Sequence, residues 1–223
     1  MKPQNSLVLG IGMGDEGKGL VTDWLCSPSM SNNKKLVIRF SGGQQAGHTV
    51  YNNDIKHVFS NFGSGTLRGI PSAFMETCTI DPIGILNELS VLKSKGIQPL
   101  LYIHKNCPIT TMYDKLYNKK QNQRTKHGSV GVGVGATFNR EENHYSLTFG
   151  DLFFRPVYTF KFNIIKNWYN KKFFIDTDEK SEMEFHEAVM DLISLDCILP
   201  FQEQYEITGM EDLIFEGSQG LLL

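Results

Sequence analysis

The stretch Gly10-Ile-Gly-Met-Gly-Asp-Glu-Gly-Lys-Gly19 follows the apolar run Ser6 to Gly10 and precedes a helical pattern from Leu20 to Cys26. A buried strand, a glycine-rich turn and a helix N-terminus, in that order, make an anion cradle. Backbone N–H groups point outward, the helix dipole favours negative charge, and missing side chains let phosphate approach. Gly12 to Lys18 meets the first part of the phosphate-loop pattern G-x-x-x-x-G-K, but Gly19 stands where that pattern needs Ser or Thr to hold magnesium. Asp15 sits inside the turn, where a bare carboxylate repels phosphate. Asp15 and Glu16 could simply complement the dipole, but four glycines from Gly12 to Gly19 cost more backbone entropy than capping offsets. Lys18 therefore reads as a phosphate ligand and Asp15 as a base or magnesium ligand.

The rest of the chain narrows the class. With 223 residues and a net charge of −2, it is long enough for a real core and carries no basic excess that would suggest nucleic acid. No apolar run approaches the roughly 20 residues of a membrane span, and Met1 to Ser6 lacks a signal peptide's apolar region. Cys26, Cys78, Cys107 and Cys197 lie far apart and read as reduced thiols of a cytoplasmic protein. No ligand pair has zinc-site spacing. From Leu213 a strand enters a glycine loop and then an apolar run that stops at Leu223, an ending expected of a truncated chain.

Apolar runs at Lys35–Phe40 and Pro99–His104 predict two more buried strands. Asn52-Asn-Asp54 predicts a hairpin within Val50–Ser60, and Phe62–Thr66 a flexible loop. Asp81-Pro82 is an N-cap and first helical residue; Ile85, Leu86, Leu89 and Leu92 continue that helix to a stop at Gly96. Pro108 to about Gln123 reads as a polar, basic helix, Gly128–Gly135 as a glycine-rich loop, and Gly150–Thr208 as helical before a strand at Leu213. Strands alternating with helices predict a single α/β nucleotide-binding domain over residues 1–223. Its largely parallel central sheet would carry helices on its faces, with the loops near Gly10, Ser41 and Gly217 at strand carboxyl ends.

His48 closes the loop Ser41-Gly-Gly-Gln-Gln-Ala-Gly-His-Thr49. Gly42, Gly43 and Gly47 allow a ligand close to the backbone and Thr49 adds a hydroxyl, which favours a functional histidine. His57 and His104 read as satisfied strand residues, and His186-Glu187 as a surface pair on a helix. Lys115, Lys119, Lys120, Arg124, Lys126 and His127 form a basic segment that reads as a solvated helix face, with a phosphate-collecting rim as the alternative. Gln219 offers an amide able to read a purine edge.

Taken together, Gly14-Asp-Glu-Gly-Lys-Gly19, Gly42-Gly-Gln-Gln-Ala-Gly-His-Thr49 and Phe215-Glu-Gly-Ser-Gln-Gly-Leu-Leu222 resemble, in order and spacing, three motifs of adenylosuccinate synthetase. The resemblance covers the whole chain, but about the N-terminal half of a typical member. It implies a partial adenylosuccinate synthetase fold, P-loop-NTPase-like, and a homodimer. It also implies a GTP-dependent, magnesium-requiring ligation of L-aspartate to IMP through 6-phosphoryl-IMP. Asp15 would be base and magnesium ligand, His48 the acid on the β–γ bridging oxygen, Lys18 the phosphoryl stabiliser, and Gly47 a second, backbone magnesium ligand. The nucleotide- and phosphate-binding positions would be Gly14, Glu16, Gly17, Gly19, Gln45, Gly47, Thr49, Ser129, Val130 and Gln219. Gly19 is then understandable, because the metal ligand is an aspartate rather than a hydroxyl.

The sequence also departs from the family. Gly12-Met13 replaces Gln-Trp, Gln45 replaces Asn, and Gly128-Ser-Val-Gly-Val-Gly-Val-Gly-Ala136 replaces G-T-T-G-R-G-I-G-P. The arginine a neighbouring subunit lends to IMP aligns near His144, with Arg140 close by. These changes leave Asp15 and His48 intact and fall around the acceptor nucleotide. They keep open another 6-oxopurine such as GMP, although phage enzymes acting on guanine nucleotides tend to lack the aspartate. A non-catalytic nucleotide-binding fragment or paralogue is the other alternative. The family's aspartate-binding and guanine-reading segments fall beyond residue 223, so the chain by itself is not expected to complete the reaction.

Overall fold

The computed structural model describes residues 4–125, 130–203, 207 and 209–222. Six strands form one sheet in the order β1 (Ser6–Gly10), β8 (Asp212–Gly220), β2 (Lys35–Arg39), β5 (Ser72–Phe74), β6 (Leu101–His104), β7 (Ile198–Phe201). Every pairing in it is parallel. The strand nearest the chain's end is thus inserted between β1 and β2. With neighbouring strands about 4.8 Å apart, the carboxyl ends of β1, β8 and β2 fall within roughly 10 Å of one another. That insertion brings three motifs distant in sequence to one edge of the sheet.

Helix α1 (Lys18–Leu25) covers β1 and β8 and also contacts β3 (His48–Asn52), which pairs with β4 (Ile55–Phe59) as a separate hairpin. Asn53 and Asp54 hold positive φ at its turn, as the Asn-Asn-Asp sequence leads one to expect. The main core lies between the sheet and α2 (Pro82–Ser94), α3 (Met112–Thr125), α5 (Arg155–Phe173) and α6 (Glu179–Ser194), with Phe59, Ile85, Ile103, Tyr169 and Phe185 among its buried members. On the opposite face Leu36, Ile38, Ala73 and Phe201 form a smaller cluster, to which no α-helix contributes among the described residues. Leu7 pairs in register with Phe215 on that same face and is 61 % exposed. Parallel sheets normally bury both faces.

Several local expectations change. β5 went unread because three residues carry no periodicity. β7 is a strand inside the Gly150–Thr208 stretch expected to be helical, too short for a period of its own and with Pro200 lowering its strand propensity. Part of the glycine-rich loop is helix α4 (Val134–Glu142), which starts beyond Gly133. Phe62–Thr66 is buried throughout rather than flexible. Side chains at Gly63 and Gly65 would collide with Val37 and Cys26 at 2.7 and 2.5 Å, so these glycines serve close packing. Gly217–Gly220 continues β8 instead of forming a loop. Asp81 stands at the N-cap of α2, but its carboxylate pairs with Lys115 at 2.7 Å instead of capping. The α3 segment is likewise no plain solvated face, since Tyr113 and Asp114 are buried and the Lys120 ammonium donates to the Phe173 carbonyl.

Candidate active site

The first loop leaves β1 at Gly10 and enters α1 through Gly17, whose φ of 79° favours glycine at this N-cap. Asp15 is exposed. Glu16 folds back so that its carboxylate accepts the N–H groups of Gly12 at 2.7 Å and Gly14 at 3.2 Å. Those bonds, Gly14's foremost, hold its carboxyl below the usual range against slight desolvation, with Lys18 assisting. The N–H groups of the glycine turn therefore converge on an anion, and the anion they hold here is the Glu16 carboxylate. Lys18 is buried, donates to the Gly14 carbonyl at 2.7 Å and lies 3.8 Å from Glu16. It braces the loop from inside.

The second loop follows β2 and ends at His48, the first residue of β3. His48 is 6 % exposed, its Nδ1 lies 2.9 Å from Oε1 of Glu216 on β8, and its Nε2 lies 3.4 Å from the Ser218 carbonyl oxygen. Glu216 is wholly buried. Burial would push its carboxyl up, but His48, the Arg39 guanidinium and Ser64 outweigh that and hold it below its ordinary value. Arg39 sits beside Glu216 in register across β2 and β8 and donates to Ser218 Oγ at 3.1 Å. Ser64 donates to Glu216 from both its backbone N–H and its hydroxyl.

A cleft of about 640 Å³ joins these loops. Its wall includes Gly14 and Asp15 from the first, Gln45, Gly47 and His48 from the second, Val130 from the α3–α4 connection, and Gln219 from β8. Seven of the expected site residues thus meet at one surface. Glu16, Gly17, Lys18, Gly19 and Thr49 stand behind or beside it. Ser129, with Lys126 and His127 of the basic segment, lies outside the described residues. The Gln44 amide donates to the Val132 carbonyl at 2.8 Å and ties the second loop to the third.

Arg140 cannot reach another subunit. It is fully buried, bonded to Asp114 at 3.0 Å and to the Ile109 carbonyl at 2.7 Å, with further bonds to Glu141 and the Tyr145 carbonyl. His144 is exposed. His57 bonds Glu88 at 3.2 Å and His104 bonds the Gln202 carbonyl at 2.9 Å, both as satisfied strand residues. His186 bonds the Tyr158 hydroxyl and is only partly exposed.

Residue-level reasoning left Glu216, Ser64, Arg39 and Gln44 without roles. One signal for Glu216 was available: it is an acid in an otherwise apolar strand of a buried parallel sheet, where a carboxylate needs partners. Among the described residues no three His, Cys, Asp or Glu side chains group as a metal site, and no helix is long and apolar enough to cross a membrane.

A family model described as adenylosuccinate synthetase matches residues 7–223. The curated adenylosuccinate synthetase of Acidithiobacillus ferrooxidans is 30 % identical over 234 residues, covering 99 % of this chain and 53 % of its own length. That of Buchnera aphidicola is 29 % identical over 231 residues, covering 98 % and 53 %. The chain spans about half the length of these relatives. In fold it resembles the fully ligated adenylosuccinate synthetase of Plasmodium falciparum, with a TM-score of 0.72 and 21 % identity over 98 % of this chain and 52 % of that one. It also resembles the cyanophage S-2L succinoaminodeoxyadenylate synthetase bound to dGMP and dATP, at 0.66 and 18 % over 99 % and 52 %.

Proposed function

Since the chain belongs to the adenylosuccinate synthetase family, we propose that it carries the phosphoryl-transfer part of a ligase in purine (AMP) biosynthesis, joining L-aspartate to IMP at the expense of GTP. Asp15 takes the N1 proton of IMP, and O6 forms a bond to the γ-phosphorus as the bond to the β–γ bridging oxygen breaks. His48 gives that oxygen its proton, and GDP leaves. The amine of aspartate then attacks C6 and phosphate departs. The observation supporting this reading is the meeting of Asp15, His48 and Gln219 at one cleft from three separate motifs. Each residue type suits its role: a carboxylate to accept a proton, an imidazole to donate one, an amide to read a purine edge.

Magnesium, when bound, would neutralise phosphate charge. The Asp15 carboxylate and Gly47 carbonyl are hard oxygen donors beside the same cleft, the kind of small protein set this ion takes when phosphates and water supply the rest. The reading includes a cytoplasmic homodimer. Buried, unpaired Cys26, Cys78 and Cys107 are consistent with a reducing compartment, and exposed His144 is left as the candidate for the inter-subunit contact. The relatives' greater length and a sheet face that no α-helix covers among the described residues support a need for further polypeptide to complete turnover.

Titration calorimetry with magnesium and GTP present tests the reading on the chain itself. IMP should bind at least tenfold tighter than GMP. Tighter GMP binding would favour another 6-oxopurine acceptor, a reading to which the apolar Val130 and Val132 at the cleft lend some support. Binding of neither nucleotide, alone or with the remaining family segment supplied, would sink both readings.

A further inference from the structure

We propose that Glu216, anchored by Ser64 and Arg39, is the positioning residue that sets which ring nitrogen of His48 carries its proton and which faces the cleft. This rests on His48 being the acid of the reaction proposed above. Glu216 Oε1 and His48 Nδ1 are 2.9 Å apart, and both are buried. At that separation two lone pairs would repel, so an ionised carboxylate there demands a proton on Nδ1. The contact is close but off the N–H axis, leaving Nδ1 without an in-line hydrogen bond. Nε2 lies 3.4 Å from the Ser218 carbonyl oxygen, an acceptor only, so that contact favours a proton on Nε2 and the Glu216 carboxylate must outcompete it in the neutral ring. As the acid, His48 gives its proton from Nε2 of the imidazolium.

Three features keep the carboxylate ionised and immobile. The Ser64 backbone N–H donates to Oε2 at 3.2 Å and its hydroxyl to Oε1. The Arg39 guanidinium stands across the strand pair. Ser64 itself lies on the segment pressed against β2 through Gly63 and Gly65. The ring has a fitted seat as well, because a Cβ on Gly19 would fall 2.8 Å from His48 Cβ and 3.2 Å from Ser64 Oγ. The residue that breaks the phosphate-loop pattern is therefore what admits the histidine. Holding an imidazole by a buried carboxylate on one nitrogen while the other does chemistry is a general orienting device. Here it would be assembled from β3, β8 and the buried turn before β5.

The test is nitrogen NMR of the 223-residue chain labelled at histidine, without nucleotide, at a pH where the ring is neutral. The expected result is a proton-bearing Nδ1 and a bare Nε2 at His48. In Glu216→Gln the amide can donate to Nδ1, so the proton should move wholly or partly to Nε2. Ser64→Ala, which loosens the carboxylate, should give a mixture. A wild-type ring protonated on Nε2 overturns the proposal, as does a folded Glu216→Gln chain with the wild-type tautomer. If Glu216→Gln fails to fold, the wild-type and Ser64→Ala spectra decide alone. Failure here leaves the proposed reaction standing, whereas failure of IMP and GTP to bind removes the reaction and leaves the tautomer result intact.

Discussion

The two walls of the cleft are built in opposite ways. On one, His48, Glu216, Arg39 and Ser64 are all at least nine-tenths buried, their charges matched and their positions set by strands in register. On the other, Asp15 and Glu16 are exposed on a loop of glycines. A proton donor that must meet a bridging oxygen in one geometry gains from being fixed before the nucleotide arrives. A carboxylate that shares its site with metal and phosphate gains from staying solvated until they bind, because burying it alone would be costly. The rigid wall should therefore reveal itself in stability and the open wall in turnover.

Asp15→Asn gives the largest separation of the two. Turnover, measured with the remaining family segment supplied, should fall about 10²- to 10⁴-fold, as for loss of a general base. The melting temperature should barely move, since the substitution touches no buried partner and surface changes usually stay within about 0.5 kcal/mol. A large loss of stability would mean that the loop is as integral to the fold as its opposite wall.

Arg39→Met attacks the rigid wall. It removes the guanidinium charge near buried Glu216 and the donors to Ser218 Oγ and the Phe62 carbonyl, and leaving buried partners unsatisfied costs about 1–3 kcal/mol each. Urea unfolding should register most of that. The same wall predicts an acid limb. Glu216 titrates below its ordinary value of 4.5 in the folded state, so its stabilising contribution is complete above that value and is lost as pH falls through the depressed one. Unfolding midpoints taken from pH 6 downward should drop more steeply in the wild type than in Glu216→Gln.

Gly19→Ser should cost less, about 1–3 kcal/mol, the usual range for overpacking. A serine there restores the phosphate-loop pattern, but its Cβ would meet the His48 side chain. Improved nucleotide binding in this variant would show that the glycine has nothing to do with seating the histidine.

The contrast between the walls also explains what could be read from residues alone. The open wall is local: Gly10 to Gly19 is contiguous, its glycines and Asp15 declare a cradle, and the strand and helix flanking it were both foreseen. The rigid wall is assembled from residues up to 179 positions apart, such as Arg39 and Ser218. Its parts resemble something else when seen singly. Phe62–Thr66 has a flexible loop's composition and a packing segment's role. Arg140 looked available because arginine is usually exposed, yet it is sealed against Asp114. The short strands β5 and β7 owe their state to neighbours in the sheet, which local propensity cannot report.

The smallest expected effect concerns the open wall again, and bears on whether its exposed loop is passive. Glu16 already sits on the Gly12 and Gly14 N–H groups, the donors a phosphate oxygen would use. An entering anion must displace that carboxylate or bind beside it against its charge. Neutralising it as Glu16→Gln leaves the glycines and the dipole in place and removes only the competitor. Affinity for inorganic triphosphate should then rise about two- to fivefold, the size of a single charge interacting with a helix terminus, and the gain should shrink as salt is added. If affinity falls instead, the carboxylate is shaping the cradle for phosphate rather than occupying it. The open wall would then be preorganised too, by a side chain on its surface.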